Sequence, residues 1–246
     1  MQTWVDSKND ALQAAAQGDV KKAEECWINS LRFARQQNEP AILNEVLEGL
    51  ANFYLTQGKS SDAIGLLKQS FELKEKNFGP KHIVVADHAN KLASLYFKEH
   101  HYGPARYYGT ISLEGFEQTY GKESPAVATM CYNLATLAHL DKKYEESERL
   151  YQRALMLRTK ILGSDHEDTA KVLQNYAKLL RELHREAEAD HLDTCAKGAI
   201  TGAWTKVEVH HNEALSEDSG RCKFCGAPVG NEQKCMTCGT AVGAFI

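Results

Sequence analysis

Proline and glycine are scarce in this 246-residue chain, at 5 and 17. That excludes a collagen-like chain or a low-complexity disordered one. No charge of either sign dominates, because 29 Lys and Arg stand against 33 Asp and Glu, a formal net charge of −4. A whole-chain attraction to nucleic acid or to an anionic membrane is therefore not expected. Long apolar runs are absent too. The longest stretch free of Asp, Glu, Lys and Arg is Ser124 to Leu140, 17 residues, and it contains Pro125, Asn133 and His139. It is too short and too polar to span a bilayer. The opening Met-Gln-Thr-Trp-Val-Asp-Ser-Lys lacks a basic stretch followed by an apolar one, so no secretory signal is read. The expectation is a soluble, cytoplasmic protein with no membrane anchor.

Catalytic arrangements are missing as well. There is no phosphate-cradling Gly-x-x-x-x-Gly-Lys-Ser/Thr loop, no Gly-x-Ser-x-Gly elbow and no Gly-x-Gly-x-x-Gly turn. His166-Glu167 begins a metalloprotease helix motif, but Ala170 occupies the second histidine position. Glu145, Glu146 and Glu148 cluster at one helix start, where negative charge favours the helix dipole. Cys131 reads as a small core residue, and His100-His101 as a surface turn. The chain is expected not to be an enzyme.

What is present is repetition. Steps of 42 from Ala51 give Ala93, Ala135 and Ala177, and from Leu50 give Leu92, Leu134 and Tyr176. The same step links Ala63, Ala105, Ser147 and Ala189, then Ser70, Ser112, Ala154 and Ala196, then Gly79, Gly121 and Gly163. A degenerate earlier copy, offset by 40, places Ala11, Gly18 and Ala23 before Ala51, Gly58 and Ala63. Each unit reads as two helices. In the fourth, Thr129 to Leu140 and Tyr144 to Ile161 carry apolar residues at three- and four-residue spacing. Asp141-Lys142-Lys143 turns between them, and Gly163-Ser164-Asp165 ends the second. Small residues recur where two helix axes approach closely.

Those small-residue positions, the Tyr144-Glu145-Glu146-Ser147-Glu148 helix start and the long second helix resemble tetratricopeptide repeats. The 42-residue period and Leu-Arg-Thr-Lys-Ile-Leu-Gly-Ser-Asp-His (157–166) resemble the kinesin-light-chain type in particular. Gly109 departs from the pattern, standing where Leu67 and Tyr151 supply a bulky packing residue. The resemblance implies an all-α fold, a right-handed superhelical solenoid of about five repeats over residues 4–198, with a concave groove that binds peptides or protein segments.

Positions i, i+3 and i+7 of each first helix share one face. That face carries Gly49, Asn52 and Thr56 in repeat two, and Lys91, Ser94 and Lys98 in repeat three. Repeat four places Asn133, Thr136 and Leu140 there, and repeat five Asn175, Lys178 and Glu182. The candidate peptide-binding residues are Asn52, Lys91, Asn133, Thr136, Asn175 and Lys178. Asn133 and Asn175 match a position where the family uses asparagine to hold a peptide backbone, a task suited to an amide that both donates and accepts. The face mixes Lys91, Lys98 and Lys178 with Glu182, which leaves the ligand's charge open. Tyr132 and His139 flank it.

Cysteines divide the chain. Cys26, Cys131 and Cys195 are scattered, whereas Cys222, Cys225, Cys235 and Cys238 form two Cys-x-x-Cys pairs followed by Gly226 and Gly239. With no export signal, these four read as metal ligands. Four sulfurs make a closed tetrahedral site that favours Zn, with a rubredoxin-like iron site as the other reading. The pattern resembles a small C-terminal zinc ribbon over 221–246, after a capping segment and linker at 199–220 that holds Trp204 and a solvated His210-His211. The expected function is a non-enzymatic scaffold or adaptor with a protein or peptide partner. Two further classes stay open: a nucleic-acid-associated regulator whose ribbon touches RNA or DNA, and an assembly subunit whose repeats stack on copies of themselves.

Overall fold

The computed structural model describes residues 3–201, with side chains through residue 198. Among these residues lie ten α-helices and no strand: α1 (Trp4–Ala16), α2 (Val20–Gln37), α3 (Pro40–Thr56), α4 (Ser60–Phe78), α5 (Ile83–Lys98), α6 (Tyr102–Tyr120), α7 (Pro125–Leu140), α8 (Tyr144–Leu162), α9 (Glu167–Glu182) and α10 (Glu186–Thr201). They pair in chain order as five helical hairpins. α7 starts four residues ahead of the Thr129 expected from periodicity, because Ser124 accepts the Val127 N–H and Pro125 fits the first turn. α10 likewise runs three residues past residue 198. The rest of the capping segment and linker, and the whole of 221–246, lie outside the described residues.

Every hairpin turns the same way. Three residues connect its helices, and the middle one has positive φ: Gly18, Gly58, His100, Lys142 and His184. In each turn that residue's N–H donates three residues back and the next N–H donates five residues back, as with Lys142 to His139 and Lys143 to Ala138. This double bond satisfies carbonyls that the helix end leaves unpaired. Between hairpins, Gly79 and Gly163 take φ of 86° and 95° with ψ of 156° and 163°. Only glycine enters that region readily.

The repeated small residues are buried throughout. Ala51, Ala63, Ala105, Ala135, Ala154, Ala177 and Ala189 are sealed from solvent, as are Ser70, Ser112 and Ser147. Ser147 replaces the alanine of its register by donating its hydroxyl to the Ala135 carbonyl at 2.8 Å. Ala11 and Ala23 are also fully buried, so the degenerate first copy forms a hairpin of the same kind.

The described residues divide inside α6, between Gly115 and Phe116, into two compact units. In the first unit, α2 packs on α3 and α4 on α5. Trp27 lies against Gly49, where an added Cβ would fall 2.4 Å from the indole. Gly49 is thus covered by Trp27, which corrects its expected place on an open face. Beside buried Gly109, the adjacent Tyr108 ring stacks on Tyr96 at 5.7 Å and meets Phe71 edge-on at 5.3 Å. A polar cluster ties three helices: Glu48 of α3 pairs with Lys74 and accepts from Ser70 of α4, and lies 3.3 Å from buried His88 of α5. His88 and the Lys74 ammonium hold the Glu48 carboxyl down to about 2.

In the second unit, Tyr151 and Tyr176 stack at 5.9 Å and are almost wholly buried. Tyr176 fills a register elsewhere held by leucine and keeps its hydroxyl satisfied, donating to Glu148 at 2.7 Å and accepting from Gln152 at 3.1 Å. Arg185 grips Glu188 with two 2.7 Å bonds and reaches Glu148 with a third. Glu148 therefore joins α8, α9 and the α9–α10 turn, a role separate from the dipole contact expected of it.

Candidate functional site

In the first unit, Asn52 on α3 and Lys91 on α5 are exposed, and no side-chain hydrogen bond holds either among the described residues. Thr56 on the same face is turned back, donating to the Phe53 carbonyl at 2.7 Å.

The second unit is more organised. Asn133 on α7 is exposed, and its amide is likewise unheld. Thr136 is half-buried and tied inward: its hydroxyl donates to the Tyr132 carbonyl and lies 3.3 Å from the Tyr151 hydroxyl. Asn175 on α9 donates to the Tyr132 hydroxyl at 2.6 Å and accepts from Lys178 at 3.1 Å. The unit therefore brings Asn175 and Lys178 together with Tyr132, a residue expected only to flank the face.

Arg158 completes this cluster, and the sequence reading gave it no role. It rises from α8, donates to the Asp168 carbonyl at 2.7 Å and places its guanidinium 4.6 Å from the Tyr132 ring centre. Only 7% of the residue is exposed. No carboxylate pairs with it among the described residues, and burial lowers its pKa. A cation so placed is held by the ring face and one carbonyl. Lys178 also has only a neutral partner, whereas nearby Lys171 is paired with Glu167 and Asp168. The signal that could have exposed Arg158 is its place directly after Leu155, Met156 and Leu157 and ahead of Ile161 and Leu162 on one helix.

Beside the cluster, the imidazole of His139 comes within 3.2 Å of Glu182. A separate cleft of about 340 Å³ is lined by Glu117, Lys122, Glu123, Arg153, Met156 and Leu157. Its Glu117–Arg153 pair, at 2.5 Å, satisfies both charges. No helix among the described residues is long and apolar enough to cross a membrane. The four expected metal ligands, Cys222, Cys225, Cys235 and Cys238, lie outside the described residues.

The sequence model of the tetratricopeptide repeat family matches residues 41–118 and 126–196, from α3 to α10. The chain belongs to the tetratricopeptide repeat family. Its first hairpin, the degenerate copy, falls outside the match. This tetratricopeptide repeat chain is similar in fold to BtubC (BKLC) from P. vanneervenii, at 20% identity and TM-score 0.59 over 85% of each chain. It is also similar to the nearly identical kinesin-light-chain TPR-like repeats of Podosopora anserina, at 17% identity and TM-score 0.61, over 78% of this chain and 92% of that one. MamA from Desulfovibrio magneticus RS-1 shares the fold at 14% identity and TM-score 0.52, over 81% and 96%. No curated protein matches the chain. Tetratricopeptide repeats are typical of protein–protein interaction scaffolds.

Proposed function

We infer that this tetratricopeptide repeat protein is a non-enzymatic adaptor that captures an acidic peptide or protein segment on the first-helix faces, in the concave groove of its repeats. The observation carrying this reading is the Tyr132–Arg158–Asn175–Lys178 cluster beside the unheld amide of Asn133. Lys178 is an exposed cation whose side-chain partner, Asn175, is neutral, so a ligand carboxylate gains a charge-assisted hydrogen bond there without displacing an existing ion pair, and the buried Arg158 beneath Tyr132 adds positive charge to the same place. Asn133 offers a donor and an acceptor to an extended backbone. Within the first unit, Asn52 and Lys91 lie on first-helix faces with their side chains equally unheld.

The test is selection from a displayed library of short peptides on the full chain, then calorimetric titration of the enriched sequence. Enriched peptides should carry carboxylates. Asn133→Ala combined with Lys178→Ala should weaken binding about ten- to a hundredfold while the helical signal is kept. Unchanged affinity in that folded variant, or enrichment of basic peptides, overturns the reading.

A further inference from the structure

A recurring pair of positions links the second helices of successive hairpins. A step of 40 and then steps of 42 carry Arg35 to Glu75, Glu117 and Thr159. Steps of 42 carry Gln69 to Ile111, Arg153 and Cys195. In the first pair the Arg35 guanidinium donates to the Gln69 side-chain oxygen at 3.3 Å, joining α2 to α4. In the third, Arg153 of α8 reaches Glu117 of α6 at 2.5 Å and also donates to the Lys122 carbonyl at 3.3 Å. The fourth, Thr159 and Cys195, is uncharged and buried. The second pair is the exception. It matches a carboxylate, Glu75 of α4, with Ile111 of α6, and an alkyl chain cannot answer a charge. Ile111 packs instead on the apolar cluster that contains Phe71 and Tyr108. Glu75 is half-buried, and no cation pairs with it, or with exposed Glu72 one turn earlier, among the described residues.

Aromatic side chains stand beside these acids. Tyr107 of α6 is 61% exposed, and its ring meets that of Tyr108 at 5.2 Å, nearly perpendicular. Tyr108 is only 8% exposed, and its hydroxyl has no hydrogen-bond partner among the described residues. Burial, then neighbouring Tyr96 and Tyr107, then the Glu72 and Glu75 carboxylates push that hydroxyl up to about 12. It therefore stays protonated, close enough to both acids to feel their charge. A polar group buried to this degree without a partner is costly until a ligand bonds it.

We propose that this place between α4 and α6 seats one arginine side chain of a protein partner, its guanidinium on the Glu75 carboxylate and the Tyr108 hydroxyl and its flat face against the Tyr107 ring. The copy one hairpin later supplies the template, because there Arg153 answers Glu117 from within the chain. A planar fork of donors suits a carboxylate, a hydroxyl and a ring face together, whereas an ammonium is a point charge. The seat lies on second helices and takes the charge opposite to that of the acidic ligand inferred for the first-helix faces. By itself it holds a ligand with a Kd of about 1 mM, the worth of one charge-assisted contact and one ring contact. A short displayed peptide is not retained so weakly. The arginine counts when a folded partner delivers it together with other contacts.

The test is an NMR titration of the isotope-labelled full chain with the blocked tripeptide acetyl-Gly-Arg-Gly-amide, which has no carboxylate. Amide signals around Glu72, Glu75, Tyr107 and Tyr108 should shift with a Kd of about 1 mM. The same tripeptide with neutral citrulline in place of arginine should shift none of them. Glu75→Gln should weaken binding about fivefold or more. Ile111→Arg should set an arginine at the register of Arg153 and abolish the titration. No shift in the parent chain, equal shifts from the citrulline probe, or parent-like affinity in either folded variant overturns the assignment. Shifts centred on Asn133 and Lys178 overturn it too, and only that outcome also counts against the acidic-ligand reading of the first-helix faces.

Discussion

The Asn175 amide donates to the Tyr132 hydroxyl at 2.6 Å, joining residues 43 positions apart on the first helices of successive hairpins. The same tyrosine ring lies under the Arg158 guanidinium. Tyr132 thus has two separable roles, one carried by its hydroxyl and one by its ring.

Tyr132→Phe removes only the hydroxyl. It should cost about 0.5–1.5 kcal/mol, the net worth of one hydrogen bond, and should leave Arg158 covered. Tyr132→Ala also strips the ring from a buried cation and opens a cavity, for a loss of about 3–5 kcal/mol. Urea unfolding of the two variants separates these contributions. Equal losses would show that the ring does not support Arg158.

The five hairpin turns contain a built-in comparison. Gly18 and Gly58 occupy the positive-φ position in the first two, whereas His100, Lys142 and His184 occupy it in the others at φ of 58–59°. A side chain there crowds the following carbonyl, partly offset by the greater freedom that glycine loses on folding. Lys142 is exposed and its side chain makes no hydrogen bond or ion pair among the described residues, which makes it the cleanest site. Lys142→Gly should stabilise by about 0.5–1 kcal/mol, raising Tm by about 1–4 °C. Gly163→Ala runs the other way, because φ of 95° with ψ of 163° suits glycine alone. It should cost about 1–3 kcal/mol. A melting-temperature drop in Lys142→Gly would refute the strain argument.

The architecture was legible because each repeat solves the same packing problem with the same residue size. Ala51, Ala93, Ala135 and Ala177 recur at 42 residues, and all four are buried where helix axes come together. The hairpin turn at Asp141-Lys142-Lys143 was equally readable. The ends were less so: α7 begins at Pro125 because a cap at Ser124 adds a turn that carries little apolar periodicity. The candidate site was legible only by face. Spacing put Asn133 and Asn175 on one side of their helices, but it could not show that Asn175 is already bonded to Tyr132 and Lys178. Nor could it show Arg158 crossing from a second helix, or Trp27 covering Gly49. Those are contacts between side chains far apart in sequence, and a helical period says nothing of them.

The Trp27–Gly49 contact predicts a paired mutational effect. Gly49→Ala would set a methyl group 2.4 Å from the indole, well inside contact distance. The overpacked interface should lose about 1–3 kcal/mol. A smaller ring relieves the clash, so Gly49→Ala added to Trp27→Phe should cost less than it does in the parent. A double-mutant cycle by urea unfolding measures that coupling. Strict additivity would place the methyl group elsewhere.

Acid should weaken the first unit through Glu48. Its carboxyl titrates at about 2 in the fold against 4.5 ordinarily, held down first by His88 and then by Lys74. A carboxyl lowered by folding contributes stability that is complete above its unfolded value, and lost as pH falls through the interval towards its folded value. The contribution therefore stands in full above about pH 5 and fades between about pH 4.5 and 2. Allowing for solvent screening of this partly exposed group, it amounts to about 1–2 kcal/mol. Glu48→Gln keeps the shape and discards the charge, so it should be less stable than the parent by about that amount near neutrality. The gap should close as the pH is lowered. Asp6, Glu24 and Asp168 are also held below their ordinary values, and they titrate in both proteins alike. The difference between the two unfolding curves therefore isolates Glu48. A gap that stays constant from about pH 7 to pH 3 would mean that the His88 and Lys74 contacts do not depend on its charge.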